Sequence, residues 1–134
     1  MVKIEYICPT RAGGNIVLDL QKDTKNAWKV NNKFKLKEGT INTMQLTFKV
    51  HHDIVYGLKY ACTIKKGFVT VSEEEENVGS FSPVKEDHVI KFTPEEVPSG
   101  FMARLSYQGK AKLFDLDGNI HLVYDFEFEI SSDW

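Results

Sequence analysis

The sequence has no long hydrophobic run and no strong excess of charge of either sign. No stretch approaches the roughly 18 consecutive apolar residues that a membrane-spanning helix requires. The first residues alternate apolar and polar side chains and lack the apolar core of a secretory signal peptide. The chain has 17 basic and 19 acidic residues and a net charge of −2. This balance argues against nucleic acid as a partner, because binding to nucleic acid favours strongly basic surfaces.

The chain has only two cysteines, and they admit two interpretations. Cys8, Trp28 and Cys62 follow the Cys–Trp–Cys order of immunoglobulin domains, and Tyr60 lies two residues before the second cysteine, as in a tyrosine corner. In those domains the second cysteine lies on the penultimate strand, whereas more than half of this chain follows Cys62. Together with the lack of a signal peptide, this placement predicts two reduced, partly buried thiols.

Motifs of catalysis and metal binding are also missing. The sequence has no metalloprotease, redox, nucleophile-elbow or phosphate-binding signature. His51 and His52 are adjacent, so in a strand they would point to opposite faces, and His88 and His121 stand alone. Residues 115–118 resemble a fragment of a calcium loop but lack its later ligands and flanking helices. We therefore expect a binding protein that is not an enzyme and has no metal or cofactor.

What the sequence does contain is a succession of short segments of alternating hydrophobicity, separated by Gly, Pro and Asn turn signals. Long helical periodicity is absent. This pattern indicates one antiparallel β-sandwich or barrel that occupies all of residues 1–134. The predicted strands are residues 2–7, 16–20, 34–36, 43–50, 58–64, 68–71, 78–81, 88–92, 104–113 and 122–130.

Two segments give the sharpest local expectations. In the last predicted strand, five apolar side chains alternate with polar ones, which predicts one buried and one solvated face. The buried set is Leu122, Tyr124, Phe126, Phe128 and Ile130. The run of four glutamates at residues 73–76 is predicted to be a solvated loop between two strands that discourages edge pairing.

Several ordered blocks of sequence carry a family resemblance. The most specific reads D-I-V-Y-G-L-K-Y at residues 53–60. The others are F-K-L-K-E-G at 34–39, V-G-S-F at 78–81, T-P-E-E-V-P-S-G-F-M-A-R at 93–104, H-L at 121–122 and D-W at 133–134. In order and approximate spacing, this set is similar to the Rho GDP-dissociation inhibitor family, the cytosolic carriers of prenylated Rho GTPases. The likeness covers almost the whole chain.

The resemblance implies an all-β, immunoglobulin-like antiparallel β-sandwich with an apolar slot between its sheets. Such a domain would bind the prenylated C-terminus of a Rho-family small GTPase through a geranylgeranyl or farnesyl group. It would act as a cytoplasmic monomer, without stable membrane insertion, that keeps the GTPase soluble and regulates its membrane cycling. The alternatives are a general prenyl or acyl chaperone and an immunoglobulin-like interaction module that binds no lipid.

Particular positions match the lipid site of the family. The resemblance implies prenyl contacts from Tyr6, Phe34, Ile54, Met102, Tyr124 and Phe126. The family commonly has W-x-W at the last two of these positions, so the smaller aromatic rings here imply a wider or differently shaped pocket. The unbranched thioether of Met102 suits a flexible ligand.

Acidic residues complete the implied site, because Rho-type GTPases carry a basic stretch just before their prenylated cysteine. The matching positions are Glu95, Glu96, Asp115 and Asp117. Their expected role is steering and partner choice, since exposed ion pairs contribute little affinity individually. The family also has an N-terminal regulatory arm that blocks GDP release, and this sequence begins at the first predicted strand. We therefore expect lipid binding with little inhibition of nucleotide exchange.

Overall fold

The computed structural model describes residues 2–22, 25 and 27–134, and within them the chain forms twelve β-strands and no helix. None of the described residues belongs to a helix that could cross a membrane. The strands are β1 (Val2–Ile7), β2 (Ile16–Leu18), β3 (Leu20–Lys22), β4 (Trp28–Val30), β5 (Phe34–Lys37), β6 (Ile41–Phe48), β7 (Val55–Lys66), β8 (Val69–Phe81), β9 (His88–Lys91), β10 (Glu95–Glu96), β11 (Ser106–Phe114) and β12 (Ile120–Ser131).

The strands form two sheets that pack face to face. The five-stranded sheet has the order β10-β6-β1-β2, and β9 pairs with β6 beside β10. The seven-stranded sheet has the order β3-β4-β12-β11-β7-β8, and β5 pairs with β12. Pairing is antiparallel except where β4 and β5 run parallel to β12. The predicted all-β immunoglobulin-like sandwich is thus confirmed.

The core lies where the inner faces of the two sheets meet. Tyr124, Ile4 and Leu46 are the largest side chains that are fully buried. All five apolar residues of the predicted inner face of β12 are buried, as the alternation predicted, because strand side chains point alternately to the two faces. The alternate side chains on the inner face of each strand are thus the ones that can face the space between the sheets.

The glutamate run differs from its prediction. Residues 73–76 belong to β8, which is one continuous strand at the edge of the seven-stranded sheet and pairs with β7 over nearly its whole length. Glutamate has a low strand propensity, but hydrogen bonding to a long neighbour outweighs that preference. The predicted loop is therefore wrong, and alternate glutamates of this edge strand point toward the other sheet.

Smaller differences concern short strands. β4 and β10 are missing from the sequence prediction, and the predicted strand at 16–20 is divided into β2 and β3, which belong to different sheets. These strands have two or three residues each, too few to show a period of two. Each is held by a longer neighbour, as β10 is by β6 and β4 is by β12.

Candidate functional site

An open slot with a volume of about 780 Å³ lies between the two sheets. Its size falls within the usual range for sites that hold a small organic ligand. The inner wall consists mainly of apolar and aromatic side chains from both sheets. Those side chains are Tyr6, Leu36, Met44, Tyr60, Cys62, Ile64, Phe92, Val97, Tyr107, Phe128 and Ile130.

The polar atoms deep in the slot are neutral. The hydroxyl of Tyr60 in the slot wall lies 3.0 Å from the hydroxyl of Tyr124 behind the wall, and the two share a hydrogen bond. Burial raises the pKa of Tyr6 and Tyr60 well above the ordinary value for tyrosine, so both remain protonated. Burial is also the main reason that the pKa of the Cys62 thiol rises to about 11. The wall can therefore accept an apolar ligand without stripping water from a charge.

Both cysteines are free thiols. Cys8 is buried just after β1, and Cys62 lies on β7 in the wall of the slot. The raised pKa of Cys62 makes it a poor nucleophile at neutral pH, because the thiolate is the reactive form. In this site Cys62 acts as a small apolar surface.

Carboxylates surround the opening of the slot, which we call the mouth. Glu74 and Glu76 reach it from β8, and Glu95 and Glu96 reach it from β10 on the facing sheet. Glu74 lies opposite Cys62 in the strand register, so it shares the inner face of its sheet with the slot wall. The mouth thus joins an acidic rim to an apolar interior.

The rim contains a hydrogen bond between the two sheets and a carboxyl group, that of Glu95, with a raised pKa. The Thr93 hydroxyl, which belongs to the segment between β9 and β10, donates to Glu76 Oε1 at 3.0 Å and connects the two sheets. Partial burial, a hydrogen bond with Glu74 and the nearby charges of Glu74 and Glu76 raise the pKa of Glu95 to about 7. Glu95 is therefore protonated more readily than an ordinary glutamate.

Four of the six residues matched to a lipid site come together in space. Tyr6 lines the slot, and its ring centroid lies 5.6 Å from that of Phe34. Phe126 stacks on Phe34 at 6.1 Å and lies 5.8 Å from Tyr124. Phe128 lines the slot and stacks on both Phe34 and Phe126. Phe34, Tyr124 and Phe126 thus form an aromatic layer behind the wall and are not among the residues that line the slot.

Ile54 and Met102 lie apart from this group and from each other. Both are exposed, by 46% and 70% respectively. Ile54 immediately precedes β7 and Met102 precedes β11, and these two strands run antiparallel. The two side chains are thus at opposite ends of the sandwich, roughly 30 Å or more apart along a strand of that length. Their contact with a lipid remains a prediction.

Glu95 and Glu96 lie at the mouth, but the predicted acidic turn does not. Asp115 is only 5% exposed, and its carboxylate accepts hydrogen bonds from the backbone of Asp117 and Asn119 and from His121 Nε2 at 2.8 Å. Leu116 then donates its amide to the Tyr56 carbonyl, which docks this turn at the end of the sandwich where β7 begins. The structure thus gives the Asp115 carboxylate a role inside the turn, and the exposed Asp117 lies there as well.

Sequence reasoning missed Glu74 and Glu76. The available signal was the spacing of Ser72, Glu74, Glu76 and Val78, which occupy alternate positions on one face of β8. Four consecutive glutamates show no alternation of residue type, so the sequence does not reveal which of them lie on the same face of the strand. Glu75, on the other face, also borders the slot, but its carboxylate forms an ion pair with Lys59 at 3.3 Å.

Comparison with known proteins gives matches along the whole chain. A family model described as "RHO protein GDP dissociation inhibitor" matches residues 1–133. The chain is 34% identical over 131 residues to Rho GDP-dissociation inhibitor 1 of Arabidopsis thaliana, covering 98% of this chain and 52% of that protein. Identity is 36% over 132 residues with the Homo sapiens protein of the same name, covering 98% and 63%.

A third relative supports the same grouping. The chain is 40% identical over 104 residues to a putative rho GDP-dissociation inhibitor 1 of Dictyostelium discoideum, covering 75% of this chain and 53% of that protein. The chain therefore spans between about half and two thirds of the length of these relatives.

Proposed function

The chain belongs to the Rho GDP-dissociation inhibitor family, and we propose that it binds the prenylated C-terminus of a Rho-family small GTPase. In this proposal residues 1–134 act as one sandwich domain, monomeric and cytoplasmic, which holds the GTPase away from membranes and so regulates its membrane cycling. The isoprenoid, geranylgeranyl or farnesyl, occupies the slot between the sheets. The basic segment beside the prenylated cysteine meets Glu95 and Glu96 at the mouth.

The observation that carries this proposal is an open apolar slot in the place where a sandwich normally has a filled core. Each methylene removed from water contributes roughly 0.8 kcal/mol. A chain of some twenty carbons gains a similar amount by entering a bilayer. A carrier must therefore enclose most of the chain, which a slot lined from both sheets can do and a surface groove cannot.

The direct test is titration of a fluorescent geranylgeranylated peptide, with the unprenylated peptide as the control. We expect binding of the prenylated peptide only. Ile64→Asp should abolish it, because Ile64 lines the slot and an unpaired carboxylate there is strongly unfavourable. Ala61→Asp is the matched control, since Ala61 lies on the same strand but outside the slot. Thermal unfolding of both variants verifies that they fold.

Two further variants separate the slot from the remaining predicted contacts. If the lipid is confined to the slot, Met102→Asp and Ile54→Asp should leave the affinity within about threefold of the original, because both side chains are exposed and lie outside the slot lining. If the lipid extends from the slot to either residue, as the resemblance implies, that variant should bind more weakly. If these two variants lose binding of the prenylated peptide while Ile64→Asp retains it, the lipid binds outside the slot. Failure of any prenylated or acylated peptide to bind would favour an interaction module without a lipid.

A further inference from the structure

The turn between β7 and β8 presents an exposed aromatic side chain beside two lysines. The segment reads K-K-G-F-V at residues 65–69. Lys66 and Val69 are register partners, so the connection consists only of Gly67 and Phe68. Gly67 has a φ of 63°, in the left-handed region that two-residue hairpin turns favour. This tight turn leaves Phe68 at the apex of the hairpin, where its side chain is fully exposed to solvent.

Further exposed apolar side chains lie at the same end of the sandwich. Lys65, near the end of β7, is the register partner of Gln108, near the start of β11. The segment that leads into β11 therefore lies at the end of the sandwich where the β7–β8 turn projects. Its exposed large apolar side chains are Phe101, Met102 and Leu105. Together with Phe68 and Val69 they form what we call the apolar tip. Exposed apolar groups gathered at one end of a domain indicate a contact surface.

Unpaired positive charge accompanies the apolar tip. Lys65 is exposed and Lys66 is half-buried, and neither forms an ion pair within the part of the chain that the structure describes. At the same end, the Glu38 carboxylate is already bound by Arg104 Nε at 2.7 Å. The first acidic residue of β8 is Glu73, at the fifth position of that strand. Both lysines are therefore available to an anion outside the protein.

We propose that the apolar tip, with Lys65 and Lys66, docks reversibly on the surface of an anionic lipid bilayer. Aromatic and aliphatic side chains beside lysines are typical of segments that bind at a membrane interface. The apolar groups enter the boundary between head groups and acyl chains, and the lysines meet the anionic head groups. A protein interface instead needs a complementary surface of roughly 800 Å² on each partner, and a projecting turn beside one short segment is a poor fit to that requirement.

The position of the apolar tip relative to the slot gives this docking a consequence. Lys66 and Val71, at the base of the β7–β8 turn, line the slot, and so does Pro98, shortly before the segment that leads into β11. A bilayer in contact with the apolar tip would therefore lie next to this end of the slot. An apolar chain that leaves the bilayer there would cross a short path and expose less of its length to water. The docking itself goes beyond the proposed function and does not require the slot to hold a lipid.

The test measures binding of the full chain to sucrose-loaded vesicles by sedimentation. Vesicles of phosphatidylcholine with about 30% phosphatidylserine are compared with vesicles of phosphatidylcholine alone. We expect roughly tenfold tighter binding to the anionic vesicles at about 0.1 M salt, and loss of this preference at about 1 M salt, where screening is strong. Phe68→Ser and the double variant Lys65→Gln, Lys66→Gln should each weaken binding to the anionic vesicles about tenfold.

Matched controls alter residues outside the apolar tip. Tyr56→Ser removes an exposed aromatic ring at the opposite end of β7. The double variant Lys85→Gln, Lys91→Gln changes the net charge by the same amount as the lysine variant of the tip, but its two positions lie in β9 and in the segment before it. Both controls should bind the anionic vesicles as tightly as the original chain.

A spectroscopic variant tests whether the apex of the turn enters the bilayer. In Phe68→Trp, phospholipids with brominated acyl chains should quench the fluorescence of the new indole. The original chain, whose tryptophans are Trp28 and Trp134, should be quenched much less. If the vesicles sediment the Phe68→Trp variant without this additional quenching, the apex does not enter the bilayer and the inference is wrong.

The remaining outcomes separate this inference from the proposed function. Equal binding to both kinds of vesicle, or binding that the tip variants leave unchanged, overturns the docking surface. The vesicles carry no prenyl group, so neither result bears on the slot. Phe68→Ser should bind the geranylgeranylated peptide normally, because Phe68 is not among the residues that line the slot. If the original chain binds anionic vesicles as expected but no prenylated peptide, the proposed function fails and the docking surface stands.

Discussion

Filling the slot with a side chain should remove lipid binding without weakening the fold. Cys62 lies on β7 in the slot wall and is a neutral thiol. In Cys62→Phe the phenyl ring would extend into open space. Packing strain arises when a core is already full, and here about 780 Å³ is open. The free energy of unfolding should therefore change by less than about 1 kcal/mol.

The expected loss of affinity follows from the volume that the ring occupies. A phenyl ring takes roughly the space of five methylenes, and each methylene contributes roughly 0.8 kcal/mol when buried. The binding free energy would thus become less favourable by about 4 kcal/mol, which corresponds to a loss of affinity on the order of 1,000-fold. A geranylgeranyl peptide should suffer more than a farnesyl peptide, since its longer chain needs more of the slot.

The assay combines fluorescence titration of the prenylated peptide with urea unfolding of the same samples. Ala61→Phe is the matched control, because it adds the same ring to the outer face of the same strand. It should leave binding unchanged. The reasoning is refuted if Cys62→Phe binds the peptide normally, or if it loses several kcal/mol of stability, because either result would mean that the space is not an available slot.

Three more predictions concern single residues. Gly109→Ala should lower the free energy of unfolding by about 1–3 kcal/mol in urea, because its new Cβ would lie 2.1 Å from the Phe126 ring. The pKa of Glu95 is raised from 4.5 to about 7, so between these pH values the native state holds a proton that the unfolded state lacks. The free energy of unfolding should therefore fall as the pH rises through this range. In thermal melts at several pH values, Glu95→Gln should abolish this dependence. Burial alone would raise the pKa of Asp115, but hydrogen bonds from His121 and Asn119 keep it below 3.8. Its stabilising effect should therefore be present above that pH and lost on acidification, and Asp115→Asn should show a smaller acid-induced loss.

The sequence predicted the fold well because its signal was the period of a strand. β1 has the predicted bounds, and the alternation in β12 identified its buried face correctly. Each of these strands pairs with a neighbour on both sides. Its alternate side chains therefore form one buried row, which the alternation in the sequence predicts. Glu74 and Glu76 obey the same period, but four consecutive glutamates gave no contrast from which to read it.

The candidate site was only partly predictable for a related reason. Tyr6 lies on a strand, and its place in the slot follows from the face it occupies. Ile54 and Met102 lie in connecting segments, where no period determines the direction of a side chain. Asp115 shows the same limit, since the turn that contains it folds back so that its carboxylate binds the turn's own donors. Resemblance of sequence blocks identifies such positions but does not give their surroundings.

The acidic edge strand also explains why a slot can remain open at all. Tyr60 and Phe92, from opposite sheets, have ring centroids 5.1 Å apart, so the sheets are in contact at that depth. Beyond this contact, β8 turns Glu74 and Glu76 toward the facing edge, where Glu95 stands. Apolar side chains at these positions would let the two edges close and fill the space, whereas carboxylates resist burial without a partner. Inward charges on an edge strand also prevent pairing with another chain. The same residues that protect the edge of the sheet therefore keep the mouth polar, and the Thr93–Glu76 hydrogen bond joins the two edges across it.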